Sequence, residues 1–261
     1  MHPSASAAVT AAAIASRRGL ASAHASFLRD GVLCLHQVIE RAAVEAAHRG
    51  FTERYAGLAE DELRAVGSRV GHERYMISVD WQPPFDDPQL WANDVLERLL
   101  SALLGPDFTL DSYALVAAFP GAAAQHVHLD HPLLFEGAIL SRALPPYAAT
   151  LAVPLIDLSA SSGGTRIWRG SHRKLPGFIK RRVGGEVLLP ARGDAYLMDY
   201  RLLHGGTPNE SALARPILYL AYSRPWFRDA ANFQKHPPLR MTDTQRDALP
   251  SALQRRIRLS R

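Results

Sequence analysis

From about residue 108 the apolar residues stop recurring at helical spacing and gather into short β-type runs: Phe108–Phe119, Ala148–Leu155, Glu186–Leu189, Ala195–Met198 and Pro216–Tyr222. Turn-rich stretches separate them, such as Ser161-Ser162-Gly163-Gly164 and Ala191-Arg192-Gly193-Asp194, so the Arg-Gly-Asp at 192–194 reads as a turn. Short strands at regular spacing have to close on one another to bury their apolar faces, as a barrel or a sandwich. Before residue 108 the pattern differs. Ile39–Leu58 and Pro88–Leu104 carry apolar residues at helical spacing, and strands are expected only at 31–35 and Tyr75–Val79. Helices followed by strands predict an α+β, mainly β chain: a jelly-roll-like core with N-terminal helices packed on it.

Composition narrows the class. The 261 residues are 47% apolar and 21% charged, enough to bury one sizeable core. An alanine-rich segment, 1–27, is expected to be a helix or disordered. A single domain is expected over 28–261, helical to about 105, with a β core over about 106–228 and an extension over 229–261. A net charge of +5 raises the question of a nucleic-acid partner. The basic residues are scattered, however, and cluster only at Lys180-Arg181-Arg182 and at Arg255, Arg256, Arg258 and Arg261, without interleaved aromatics. That distribution fits a solvated surface or attraction of an anionic substrate, and argues against a nucleic-acid groove. Cys34 is the only cysteine, which excludes an intrachain disulfide and any multi-cysteine metal site. No stretch reaches the roughly 20 apolar residues of a membrane helix. Arg17, Arg18 and Arg29 precede the first acid, Asp30, as in a transit peptide, but a frayed alanine-rich helix and a cytoplasmic location are the expectation.

The chemistry is concentrated in Gln125-His126-Val127-His128-Leu129-Asp130-His131, which packs three histidines and a carboxylate into seven residues. On an extended chain residues i and i+2 share a face, so His128 and Asp130 project together, and His126 with them. Two ligands from one strand end require a third from elsewhere. His204, 74 residues beyond Asp130, supplies it. Two imidazoles and one carboxylate make the facial triad of non-haem iron(II), which leaves three positions for a 2-oxo acid and dioxygen. A 2-oxo acid chelated at the metal by one end needs a cation for its far carboxylate. A guanidinium meets it bidentately, and Arg215, 11 residues past His204 at the head of a strand, is suited to the task.

With these residues in place, the chain resembles the phytanoyl-CoA dioxygenase-like branch of the iron/2-oxoglutarate oxygenases. Gln125-x-x-His128-x-Asp130 is similar to that family's proximal motif. Gly163-Gly164-Thr165-Arg166-Ile167-Trp168-Arg169-Gly170-Ser171-His172 is similar to its central glycine-rich segment, with Arg169 where a proline is usual. Asp199–Arg215 matches the distal histidine and arginine block, and the resemblance extends over about 28–250. It implies a double-stranded β-helix of the cupin-like, jelly-roll kind, with Fe(2+) on His128, Asp130 and His204 as the catalytic group, 2-oxoglutarate anchored by Arg215, and O2 as oxidant. It also implies that Gln125, Tyr113 and Thr165 contact the cosubstrate, that Trp168 forms a substrate wall, and that His131 begins a mobile loop at 132–146 over a small-molecule substrate. The product would be a hydroxylated or otherwise oxidised metabolite, in a natural-product setting, with succinate and carbon dioxide released.

Two rival readings use the same residues. His126-x-His128-x-Asp130-His131 is also the signature of metallo-β-lactamase-type hydrolases, in which two zinc ions activate a water and His172 and His204 would complete the ligand set. That reading leaves Arg215 without a role. The second is a non-catalytic barrel of the same fold, which the intact triad and arginine argue against.

Overall fold

The computed structural model describes residues 8–135, 139–174, 184–232 and 236–259. The basic run Lys180–Arg182, Arg261, residues 1–7 of the alanine-rich segment and residues 136–138 of the expected lid lie outside the described residues.

Among the described residues eleven strands form the frame: β1 (Val9–Thr10), β2 (Val32–His36), β3 (Gly67–Gly71), β4 (Arg74–Ser78), β5 (Thr109–Ala118), β6 (Ala148–Pro154), β7 (Thr165–Ile167), β8 (Glu186–Leu188), β9 (Ala195–Asp199), β10 (His204–Gly206) and β11 (Arg215–Ser223). Eight of them make one sheet in the order β1-β2-β9-β6-β11-β5-β4-β3, and β10-β7-β8 make a smaller facing sheet. This is the jelly-roll arrangement of a large and a small sheet around a shared interior. All pairings but β1–β2 are antiparallel.

Helices α1 (Ala11–Ala15), α2 (Arg17–Asp30), α3 (Arg41–Arg54), α4 (Glu60–Val66), α5 (Pro88–Trp91) and α6 (Asp94–Leu104) precede β5, with α7 (Ile139–Ala143), α8 (Asp243–Asp247) and α9 (Ser251–Gln254) later. The single helix expected over 88–104 is two. Asn93 accepts from the backbone N–H of both Val95 and Leu96 at 3.1 Å, and this cap starts α6 afresh after Ala92. From the alanine-rich segment, Ile14 and Phe27 are fully buried in the helix-side core.

Strand parity divides the large sheet into two environments. On β11, Leu218, Leu220 and Tyr222 face the helices, with Tyr113, Leu115 and Ala117 of β5. The alternate residues, Arg215, Ile217, Tyr219 and Ala221 with Ser112, Ala114 and Val116, line a cavity of about 590 Å³ between the two sheets. The larger hydrophobic core is therefore on one face of the sheet, and the cavity, beside a smaller cluster around Ile167, Tyr196 and Ile217, is on the other. No described helix is long and apolar enough to cross a membrane.

Candidate metal centre

His128 and His204 are antiparallel bridge partners, exchanging backbone hydrogen bonds at 2.9 and 3.0 Å. Direct cross-strand partners put their side chains on one face, and the two imidazoles stand 4.4 Å apart between ring centres. Asp130, two residues on, turns to the same face while its N–H donates to the Tyr200 carbonyl at 3.1 Å. One potential ligand atom from each of the three residues lies within 4.8 Å of the others.

The donor chemistry suits a divalent cation. His128 Nδ1 lies 2.9 Å from the His126 carbonyl and His204 Nδ1 lies 3.0 Å from the Leu202 carbonyl. A carbonyl only accepts, so each Nδ1 carries the hydrogen and each Nε2 keeps its lone pair for the cluster. His204 Nε2 faces Asp130 Oδ1 at 3.4 Å. Burial, and after it the neighbouring His204, hold the His128 imidazole below its ordinary pKa, which favours the neutral ligand form. The other carboxylate oxygen, Oδ2, accepts a 2.6 Å hydrogen bond from the Thr150 hydroxyl on β6. From the C-terminal segment, Asn232 Nδ2 donates to the Asp130 carbonyl at 2.5 Å.

At the inner end of the cavity two arginines are buried, Arg74 (2% exposed) and Arg215 (1%). Arg215 donates to the carbonyls of Ser162 (2.7 Å), Pro208 (3.3 Å) and Thr207 (3.1 Å). Arg74 donates to the carbonyls of Ala123 and Thr207, both at 3.0 Å, so the two guanidinium groups meet on one oxygen. Burial, then the charge of Arg215, push Arg74 down to about 10. Burial lowers Arg215 as well. Neither guanidinium has a carboxylate partner among the described residues, and Asp130 is the only acid in the described cavity lining. The approach requires glycines. A Cβ on Gly206 would lie 2.5 Å from Arg74 Nη1, and one on Gly163 (φ +71°) would lie 2.5 Å from Arg215 Nη1.

Of the other residues singled out in the sequence, Thr165 lines the cavity. Its hydroxyl is 2.7 Å from that of Tyr196 and 3.1 Å from that of Tyr219. Gln125 also lines the cavity, but its amide is engaged by the protein: Oε1 accepts from the Gly206 N–H at 3.0 Å and Nε2 donates to the Val70 carbonyl at 3.3 Å. His126 lies along the cavity beside His128.

Three expectations are corrected. Tyr113 does not reach the cavity: odd positions of β5 face the helices there, and its ring packs edge-on against Trp81 at 5.9 Å. Trp168 is no cavity wall. Thr165 and Ile167 turn inward, so Trp168 falls on the outer side of the small sheet, against the backbone of Gly185. His131 also turns away, because it is one residue out of phase with Asp130. Its ring packs on Phe227 at 5.2 Å and its Nε2 is 4.0 Å from Asp229. The dizinc reading loses its support, since His172 is buried beside Gly31 with Nε2 at 3.1 Å from the Leu28 carbonyl. The triad is the only cluster of three or more such ligands among the described residues. Arg74, Thr150, Tyr219 and Asn232 escaped the sequence reading. Only Arg74 had a signal, the one Arg215 also gave: an arginine heading an expected strand.

A jelly roll that carries this His-x-Asp and histidine cluster, with a buried arginine inward of it, has the build of the non-haem, 2-oxoglutarate-dependent oxygenases. The chain belongs to the phytanoyl-CoA dioxygenase (PhyH) family, whose pattern it matches over residues 27–217. Solved structures of the same fold include AviO1 from Streptomyces viridochromogenes Tue57, at 24% identity and TM-score 0.61, over 81% of this chain and 97% of that one. HygX from Streptomyces hygroscopicus, solved with nickel, 2-oxoglutarate and hygromycin B, is 16% identical at TM-score 0.60, over 84% and 95%. SnoK, an alpha-ketoglutarate-dependent carbocyclase from nogalamycin biosynthesis, is 15% identical at TM-score 0.62, over 88% and 92%. At these identities the likeness is one of fold.

Proposed function

We propose that this protein oxidises a small organic substrate, most simply by hydroxylation, using iron(II), 2-oxoglutarate and dioxygen. His128 Nε2, Asp130 Oδ1 and His204 Nε2 would hold the iron, which when bound couples decarboxylation of 2-oxoglutarate, to succinate and carbon dioxide, to oxygen activation. The observation that carries the reading is the pairing of this cluster with two buried arginines that have no carboxylate partner in the described lining. Two cations sharing one carbonyl in a desolvated cavity are unfavourable until an anion arrives, and the far carboxylate of 2-oxoglutarate is such an anion. The Tyr219 and Thr165 hydroxyls, which line the same cavity, supply neutral donors beside it.

The remaining space, between Ser112, Ala114, Met76, His126, Leu129 and Asn232, takes the substrate. A lining of mixed small, apolar and polar groups orients a partly polar molecule and excludes water around the metal. The similar structures SnoK, from nogalamycin biosynthesis, and HygX, solved with hygromycin B, support a natural-product substrate. The test is iron-dependent conversion of 2-oxoglutarate to succinate by the purified protein, compared with His128→Ala. Turnover that persisted in the variant would sink the ligand assignment.

A further inference from the structure

Asp130 is held more firmly than its place in an irregular segment would suggest. Its N–H donates to the Tyr200 carbonyl, its own carbonyl accepts from Asn232, and its carboxylate Oδ2 accepts from Thr150 at 2.6 Å. Thr150 is itself fixed. It sits on β6 between two hydrogen-bonded neighbours, opposite Met198 of β9 and Ala221 of β11, and is 5% exposed. A β-branched side chain on a central strand has little rotameric freedom, so the hydroxyl is aimed by the backbone. At 2.6 Å it is a short, charge-assisted O–H···O⁻ bond, of the stronger kind.

We propose that Thr150 is a positioning residue that keeps Asp130 a one-oxygen ligand. Its hydroxyl proton occupies Oδ2, which leaves Oδ1, the oxygen 3.4 Å from His204 Nε2, to face the metal. The consequence is coordination space. A carboxylate that swung round to offer both oxygens would take four positions together with the two imidazoles, and a six-coordinate ion would keep two. The 2-oxo acid would need two and dioxygen one, so the Thr150 hydrogen bond would keep Asp130 from taking the position that dioxygen requires.

This inference rests on the iron/2-oxoglutarate reading, and the experiment separates their failures. The full-length apo-protein and its variants are titrated anaerobically with Fe(II), then with 2-oxoglutarate, following the visible absorption of the iron–2-oxo acid chelate. Thr150→Val and Thr150→Ala remove the hydroxyl with and without filling its space, whereas Thr150→Ser removes the methyl and keeps the hydroxyl. Removing an outer-shell partner typically weakens metal binding about 10- to 100-fold. The expected result is a loss of that order for Fe(II) in both hydroxyl-free variants, a weakened and shifted chelate band, and near wild-type values for Thr150→Ser. Packing alone would make Thr150→Ser as defective as Thr150→Ala, and that pattern would overturn the proposal. So would hydroxyl-free variants with wild-type iron affinity and band. A wild-type protein that forms no band with Fe(II) and 2-oxoglutarate overturns the iron reading, and the role of Thr150 with it.

Discussion

Replacing Arg215 by methionine keeps the unbranched stem of the side chain as far as Nε and deletes its charge and fork. In the structure Arg215 lies at the inner end of the cavity, donates to three carbonyls and leaves its Nε without a partner among the described residues. A carboxylate bound there accepts two charge-assisted hydrogen bonds, each contributing about 1.5 kcal/mol net at the low end of its range, so their loss costs about 3 kcal/mol. That is a rise of about 150-fold in the dissociation constant of 2-oxoglutarate. Arg74 shares the Thr207 carbonyl with Arg215, and its remaining charge keeps the effect from being larger. Arg215→Lys, which retains charge without the planar fork, falls between, at about tenfold. Iron affinity is unaffected because Arg215 makes no contact with His128, Asp130 or His204. Without Arg215 the Ser162 and Pro208 carbonyls lose its hydrogen bonds, while Arg74 still serves Thr207, so stability falls by about 1–3 kcal/mol, read by denaturant unfolding. Anaerobic titration of the Fe(II)-loaded protein with 2-oxoglutarate measures the effect. An unchanged dissociation constant, or a parallel loss of iron, would refute the assignment.

Two further substitutions test the geometry. Tyr113→Phe leaves 2-oxoglutarate binding unchanged and holds or raises the melting temperature, because the hydroxyl is buried on the helix side without a partner among the described residues; a thermal melt beside a binding titration checks both. Gly206→Ala places a methyl 2.5 Å from Arg74 Nη1 and 2.7 Å from Gln125 Oε1, so 2-oxoglutarate affinity falls about tenfold and stability falls by about 1–3 kcal/mol, read by denaturant unfolding.

The residues that the sequence revealed are those whose chemistry is dense or whose spacing is regular. His128 and Asp130 follow from the alternation of an extended chain, and β5, β6 and β11 from runs long enough to show a period. Strands β7 and β10 span three residues each, too few for any period, and β10 reads His-Gly-Gly, whose glycines carry no side chain to betray a face. Tyr113 and Trp168 were misdirected for one reason. Proximity along the chain brings a residue to the right strand, but only the phase of the pleat says which side it takes, and a bulge opposite Ala221 and Tyr222 offsets that phase along β5. Arg74 and Thr150 meet the site through pairings of β4 with β5 and of β6 with β11, and a single sequence carries no record of which strands become neighbours.

The division of β5, β6 and β11 into a helix-facing and a cavity-facing set bears on how such a protein diversifies. Ser112, Ala114 and Ala221, which pave the cavity floor, are already nearly as small as side chains can be. Mutation there almost always adds bulk, and it does so without disturbing Leu115, Leu218 or Leu220 on the reverse of the same strands. The floor can thus be raised, one position at a time, to exclude substrates, but it can be lowered by no more than a methyl or hydroxyl at a time to admit larger ones. Acceptance of a much bigger molecule comes from the rim, at His126, Leu129 and Asn232, so the lineage is free to narrow its choice from within and to widen it chiefly from its edges.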